Sequence, residues 1–229
     1  CAGDAVRPYS RRGEARPFDA GADGPIPGEG AACVVLKRLA DAKRDGDRIY
    51  AVVRGVGTAH ANSVGQDAPA SAAYAQALVR AYAEADVVPA TVQLVEAHGS
   101  GSPDEDAAEA RALAAFFGTP ERTLACNISS AKADVGHAGE AGGLVSLIKA
   151  SLCLYHEVIP GMRNCRQPRN DLAAAPLMRL HRGARYWVRD RAAGPRRAGV
   201  SSMGAEGGCV HVVLDAHETG VSPQLETAG

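Results

Sequence analysis

The sequence predicts a layered α/β fold, and three observations carry that prediction. Short apolar runs with β-branched residues alternate with stretches of helical periodicity. Hydrophobic residues make up 46% of the chain but aromatics only 4%, so alanine, valine and glycine must fill the core, which suits helices lying close on a sheet. The 229 residues are enough to bury a sizeable core in one large domain or two small ones. No internal repeat or low-complexity segment interrupts the pattern.

Residues 1–30 are rich in Gly, Pro, Asp and Arg and read as loop. A strand is expected over 31–38, in the apolar run "AACVVLKRL". A second strand, 48–56, is reached through the turn-like "RDGD". Residues 57–71 read as a loop; then Tyr74, Leu78 and Tyr82 recur at helical spacing and mark a helix over 71–85. A strand follows at 92–97. The helix over 104–117 starts after Pro103 with acids in its first turn, where the helix dipole favours them. Another strand is expected at 123–129. The longest helix, 139–156, carries Leu144, Leu147, Ile148, Leu152 and Tyr155 on one face. Strands 196–203 and 209–215 close the chain around a glycine-containing turn. A domain that opens on so long a loop reads as the remainder of an N-terminal half, followed by one domain over 31–216 and a flexible tail at 217–229.

Charge and cysteine usage exclude several classes. The formal net charge is −1, which gives no electrostatic footprint for nucleic acid. Arginines gather between Arg163 and Arg197; they read as a solvated basic surface, or less simply as a docking face for an acidic protein. The cysteines at 1, 33, 126, 153, 165 and 209 form no CxxC pair. Cys33, Cys126, Cys153 and Cys209 sit in apolar runs and read as buried small hydrophobes, not as disulfide partners or metal ligands. There is no recognisable signal peptide and no apolar run near ~18 residues. A soluble, cytoplasmic protein without a membrane span is expected.

Two stretches carry chemistry. In "VEAHGSGSPDEDAAE" a histidine, His98, ends a buried strand. Gly99 and Gly101 let backbone approach a ligand, and Ser100 and Ser102 offer hydroxyls on one side. Alone, such a histidine is more often structural than functional. In "SSAKADVGHAGEAGG" a second histidine, His137, again lies between a strand and a helix, five residues after Lys132. A lysine close by keeps imidazoles neutral by charge repulsion. Two such histidines can polarise a carbonyl or stabilise an enolate.

Those stretches, in order with "RPFDAGADGPIPGEGAACVVLKRLADA" (16–42), "RRAGVSSMG" (196–204) and "HVVL" (211–214), resemble the C-terminal half of a β-ketoacyl synthase of the thiolase fold. The resemblance implies a mixed thiolase-like sheet flanked by helices. It implies decarboxylative Claisen condensation of a malonyl thioester with an acyl thioester. His98 and His137 match the family histidines that stabilise the enolate. Lys132 matches the family lysine, held by Asp106, with Asp106 and Glu109 supporting from behind. Ser100 and Ser102 stand where the family's threonines hydrogen-bond pantetheine. Gly204 and Ala205 stand at the family's oxyanion and gate turn, where an aromatic has become Ala205 and a glycine has become Glu206; the latter should face solvent or an arginine.

No cofactor is implied beyond the phosphopantetheine of an acyl carrier protein, and no metal. Implied partners are that carrier protein, acyl and malonyl thioesters, and either a second copy or a chain-length-factor subunit. The nucleophile cysteine has no match: "CAGD" at Cys1 is unlike the family's elbow, and Cys126, Cys153 and Cys209 fall in later elements. The chain alone is therefore expected to be inactive. The Ser-Ser-Met ending is similar to that of iterative polyketide, polyunsaturated fatty acid or glycolipid synthases. Two other readings stay open: a non-catalytic chain-length factor, and an N-terminal nucleophile hydrolase built on Cys1.

Overall fold

A computed structural model of the chain describes residues 8–61, 67–204 and 206–217. Strands β1 (Val52–His60), β2 (Leu94–Glu96), β3 (Cys126–Ser129), β5 (Met178–Arg179), β7 (Arg197–Met203) and β8 (Gly208–Asp215) form one six-stranded sheet in the order β1-β8-β7-β2-β3-β5. β4 (Val158–Ile159) and β6 (Arg185–Tyr186) pair separately. β8 runs antiparallel to both β1 and β7, whereas β7, β2, β3 and β5 are parallel. The helices are α1 (Leu39–Asp45), α2 (Asp67–Ala85), α3 (Pro103–Phe117), α4 (Lys132–Val135), α5 (Gly142–Tyr155) and α6 (Asn170–Ala173).

The sheet has a core on each face because strand side chains alternate. Val95, Ile128 and Val213 meet Leu78 and Tyr82 of α2 and Leu113 and Phe117 of α3. Leu94, Ala198, Val200 and Leu214 meet Ala150, Cys153 and Leu154 of α5, with Trp187 beside them. α2 lies almost on the backbone of β1: a Cβ at Gly57 would overlap the Ala77 carbonyl of α2. Small residues on both sides permit this approach, which accounts for the alanine- and glycine-rich composition.

The layered architecture is the expected one, with local corrections. Residues 31–38 form no strand; Val35 is 94% exposed and Leu36 76%. A strand needs a neighbour for its backbone groups, and none among the described residues pairs with this run. Cys33, expected to be buried, is exposed for the same reason. β1 extends to His60, into the expected loop, because its pairing with β8 continues to Gly208.

The sequence pattern turns the Leu144 and Leu152 face of α5 inward. The helix buries Ser146, Ala150, Cys153 and Leu154 instead and leaves Leu144 and Leu152 partly exposed. A helix apolar all round does not announce its inner face.

Residues 8–30 carry no helix or strand, yet they are not loose. Ala15, Arg16, Phe18 and Asp19 are buried. Asp19 accepts hydrogen bonds from the Arg166 and Gln167 amides at 2.6 and 2.8 Å. The segment runs as a strap over the ends of β2 and β3. Among the described residues, no helix is long and apolar enough to cross a membrane.

Candidate active site

β2 delivers His98 to the sheet's end, and the next four residues turn sharply into α3. Gly99 and Gly101 adopt φ of 42° and 84°, a region costly for other residues. A Cβ at Gly99 would also sit 2.9 Å from the Phe18 ring and from Ser130. Two carboxylates of α3 hold this turn from behind; their i,i+3 spacing puts both on one helix face. Glu109 accepts the amides of His98 and Gly99 at 2.8 and 2.7 Å and the Tyr74 hydroxyl at 2.5 Å. Asp106 accepts the amides of Phe18 at 2.7 Å and Gly101 at 3.2 Å.

Burial dominates the electrostatics of these acids. It pushes the Asp106 carboxyl up to about 7 despite its two amide donors, with Glu109 and Glu105 adding to the rise. It raises Glu109 as well, against its own donors and Lys132. Lys132, on α4, is drawn down by burial and supported by Glu109, Glu96, Asp106 and Glu105.

The ammonium of Lys132 donates to the His98 carbonyl at 2.6 Å. Asp106, expected to hold Lys132, acts on it as a nearby charge while its two oxygens accept the Phe18 and Gly101 amides. Lys132 therefore holds the backbone of the histidine turn.

The two imidazoles come together: their rings lie 5.5 Å apart at 74°. His98 is buried, and its Nδ1 accepts the Met203 amide of β7 at 3.1 Å. Its proton must then sit on Nε2, which is buried and faces the Glu105 carboxylate at 3.7 Å, beyond hydrogen-bond length. Burial first, and Lys132 second, push its pKa down to about 3, so it is neutral at physiological pH. His137 is half-buried, and its Nδ1 accepts the Gly139 amide at 3.1 Å; the same reasoning makes its Nε2 a donor. The strap holds this second turn: the His137 amide donates to the Ile26 carbonyl at 2.7 Å, and the Gly28 amide to the His137 carbonyl at 3.0 Å.

The remaining expected residues divide. Ser100 is buried and donates to Glu105 at 2.6 Å, while its oxygen accepts the Ser102 amide at 3.1 Å. Ser102 is half-buried at the start of α3. Gly204 donates its amide to the Gly208 carbonyl at 2.7 Å, so that N–H is committed to its own turn. Ala205 and Cys1 lie outside the described residues. Glu206 is exposed, as expected.

Burial pushes the thiols of Cys126, Cys153 and Cys165 up to about 12 and that of Cys209 up to about 11. Burial thus disfavours the thiolate form of these four. Several of the arginines between 163 and 197 are paired, Arg196 with Glu157 at 2.8 Å and Arg197 with Asp215 at 3.1 Å among them.

Sequence reasoning missed Glu96, Tyr74, Lys149 and the strap. A charged residue inside the run "LVEAH" was the one available signal for Glu96, since buried carboxylates are rarely unpartnered. It also missed His211, buried in β8 with Nδ1 2.8 Å from the Ser201 hydroxyl and its pKa pushed down to about 3 by burial.

Comparison with known families accords with this geometry. The profile described as "Beta-ketoacyl synthase, C-terminal domain" matches residues 50–166, and "Beta-ketoacyl synthase, N-terminal domain" matches residues 1–42. The chain belongs to the β-ketoacyl synthase family. Among solved structures, the ketosynthase from module 6 of the bacillaene synthase of Bacillus subtilis 168 superposes with a TM-score of 0.86 at 31% identity, covering 94% of this chain and 39% of that one. An oxazolomycin ketosynthase domain of Streptomyces albus JA3453 gives a TM-score of 0.81 at 31% identity, covering 94% of this chain and 38% of that one. Polyketide synthase ThaG of Burkholderia thailandensis is 40% identical over 221 residues, 90% of this chain and 4% of that protein. A phenolphthiocerol/phthiocerol polyketide synthase polypeptide of Mycobacterium tuberculosis is 38% identical over 231 residues, 95% of this chain and 15% of that protein. This ketosynthase chain thus spans a small fraction of those curated relatives and less than half of the solved domains.

Proposed function

We propose that this chain is the malonyl-handling part of a polyketide synthase ketosynthase. The supporting observation is the pair of imidazoles, both with Nδ1 bonded to a backbone amide and both carrying the proton on Nε2, with ring centres 5.5 Å apart. In the proposed step the malonyl thioester loses carbon dioxide. The electron pair of the broken C–C bond moves into the thioester, and the enolate oxygen accepts hydrogen bonds from His98 and His137. The enolate carbon then attacks the carbonyl of an acyl group held on a cysteine, and the thiolate leaves. Neutral donors suit this task, since they bind developing negative charge without giving up a proton prematurely. Lys132 fixes the His98 carbonyl and hence the aim of that ring.

The acyl-bearing cysteine is proposed to lie in polypeptide preceding this chain in a longer synthase. The high thiol pKa values of four buried cysteines support that assignment. Substrates are proposed to arrive on the phosphopantetheine of an acyl carrier protein. Ser102 is the hydroxyl proposed to meet its amide linkages, because Ser100 already donates to Glu105.

The test is malonyl-carrier decarboxylation by the intact ketosynthase carrying His98→Ala or His137→Ala. Each should lose on the order of 10²-fold or more. Variants that keep the unmodified rate would overturn the reading. A second check uses this chain alone with an acyl-pantetheine thioester: intact mass should show no acyl adduct, and a stoichiometric adduct on any of its cysteines would refute the assignment of the nucleophile.

A further inference from the structure

Glu96 is fully buried at the end of β2, two residues before His98. Its two oxygens do different work. Oε1 accepts the Ala131 amide, and Oε2 accepts the Ser129 hydroxyl of β3. Ala131 directly precedes Lys132, so Glu96 sets how far the lysine's turn stands from the histidine's strand. The Lys132–His98 hydrogen bond spans that same gap at 2.6 Å.

The counter-charge comes from the opposite layer. Lys149 of α5 approaches Glu96 Oε2 at 3.3 Å, and its side chain is 19% exposed. It also contacts Asp134 at 3.5 Å, and Asp134 faces Arg163 at 3.9 Å. α5 begins shortly after His137. The pair therefore joins the three segments that carry His98, Lys132 and His137. A buried ion pair is a poor source of stability, because desolvation offsets its attraction. Its cost at this junction is better accounted for by geometry.

We propose that Glu96 and Lys149 form a positioning pair for the decarboxylation step: Glu96 seats the turn that bears Lys132, and Lys149 from α5 holds Glu96 there. The proposal rests on the ketosynthase reading above. It adds a charge relation too. Lys132 faces Glu105, Asp106 and Glu109 of α3, Glu96 of β2 and the His98 carbonyl. Glu96 faces Lys132 of α4, Lys149 and Cys153 of α5, and the Ser129 and Ala131 donors. Removing the Glu96 charge withdraws one of the carboxylates that keep the Lys132 ammonium protonated.

The experiment uses the intact ketosynthase and measures its two half-reactions separately, cysteine acylation and malonyl-carrier decarboxylation. Lys149→Met and Glu96→Gln should each lower kcat for decarboxylation roughly tenfold or more, with acylation and the malonyl KM within about twofold. Glu96→Gln should move the alkaline limb of the decarboxylation profile to lower pH. Lys149→Arg should restore the rate, and Lys149→Met/Glu96→Gln should be no worse than the worse single variant, since the two act as a unit. Acylation and decarboxylation falling together, or an unmoved alkaline limb with additive losses, would assign the pair a purely structural role and overturn the proposal. His98→Ala serves as the control: if it also leaves decarboxylation intact, the ketosynthase reading has failed and not the pair.

Discussion

The two histidine turns reach similar ring geometry by different means. The His98 turn is held mainly by side-chain charges: Glu109 takes two of its amides, Asp106 a third, and the Lys132 ammonium its carbonyl, with a single strap bond from the Gly24 amide to the Gly101 carbonyl. All of these groups are buried. The His137 turn is held by backbone: its amide and carbonyl pair with Ile26 and Gly28, and its ring nitrogen takes the Gly139 amide. One turn is therefore sensitive to charge and protonation, and the other to steric fit. The difference teaches that one reactive geometry can rest on supports that fail under different perturbations.

The largest expected effect comes from Glu109→Ala. It strands three donors, the His98 and Gly99 amides and the Tyr74 hydroxyl, in a buried site. At about 1–3 kcal/mol for each unsatisfied group, denaturant unfolding should show several kcal/mol of lost stability. A loss under about 1 kcal/mol would mean the His98 turn does not depend on this carboxylate.

Gly28→Ala probes the other turn. Its Cβ would overlap the Val135 carbonyl, so the strap must shift by an amount that costs about 1–3 kcal/mol. Malonyl decarboxylation by the intact ketosynthase should fall at least several-fold. Chemical shifts of the His98 ring should stay put while those of His137 move. Equal movement of both rings would erase the contrast between the turns.

Protonation acts with opposite signs at the two kinds of group. Asp106 has its pKa raised to about 7 from an ordinary 3.8, so its linked stability is complete below the ordinary value and is lost as pH rises through about 7. His98 has its pKa lowered to about 3 from 6.5, so its linked stability is present above 6.5 and is lost as pH falls toward 3. Relative to the unmodified chain, Asp106→Asn should therefore gain stability between about pH 4 and 7. His98→Gln should lose its relative gain as pH rises over the same range. Each slope should approach about 1.4 kcal/mol per pH unit. Parallel pH profiles for all three proteins would contradict the assigned charge states.

Ser102→Ala should have the smallest effect, a few-fold rise in KM for the malonyl carrier with kcat little changed. A loss confined to kcat would remove Ser102 from pantetheine binding.

Much of this arrangement is legible in the sequence because local pattern determines it. The apolar runs of β2, β7 and β8 and the Tyr74–Leu78–Tyr82 periodicity of α2 depend on neighbours within the chain. The histidine turns announce themselves through glycines next to a polar residue at a strand's end. What is illegible depends on distant partners. "AACVVLKRL" has the composition of a strand, but composition supplies no neighbour. β4, β5 and β6 are each two residues long, too short to leave a period. Glu96 and Lys149 lie far apart in sequence and meet only because α5 crosses the sheet. The strap's bonds to Gly101 and His137 are backbone to backbone, which leaves no mark on side-chain identity.

The strap has a consequence for recombination between synthases. The two family profiles meet between residues 42 and 50, the natural place to join halves from different parents. Yet Phe18, Gly24, Ile26 and Gly28, upstream of that junction, bond to Asp106, Gly101 and His137 downstream of it. A crossover there would keep both histidines in the chimera and hand their backbone clasp to a foreign sequence, whereas a crossover upstream of Tyr9 would inherit the clasp and both turns from one parent.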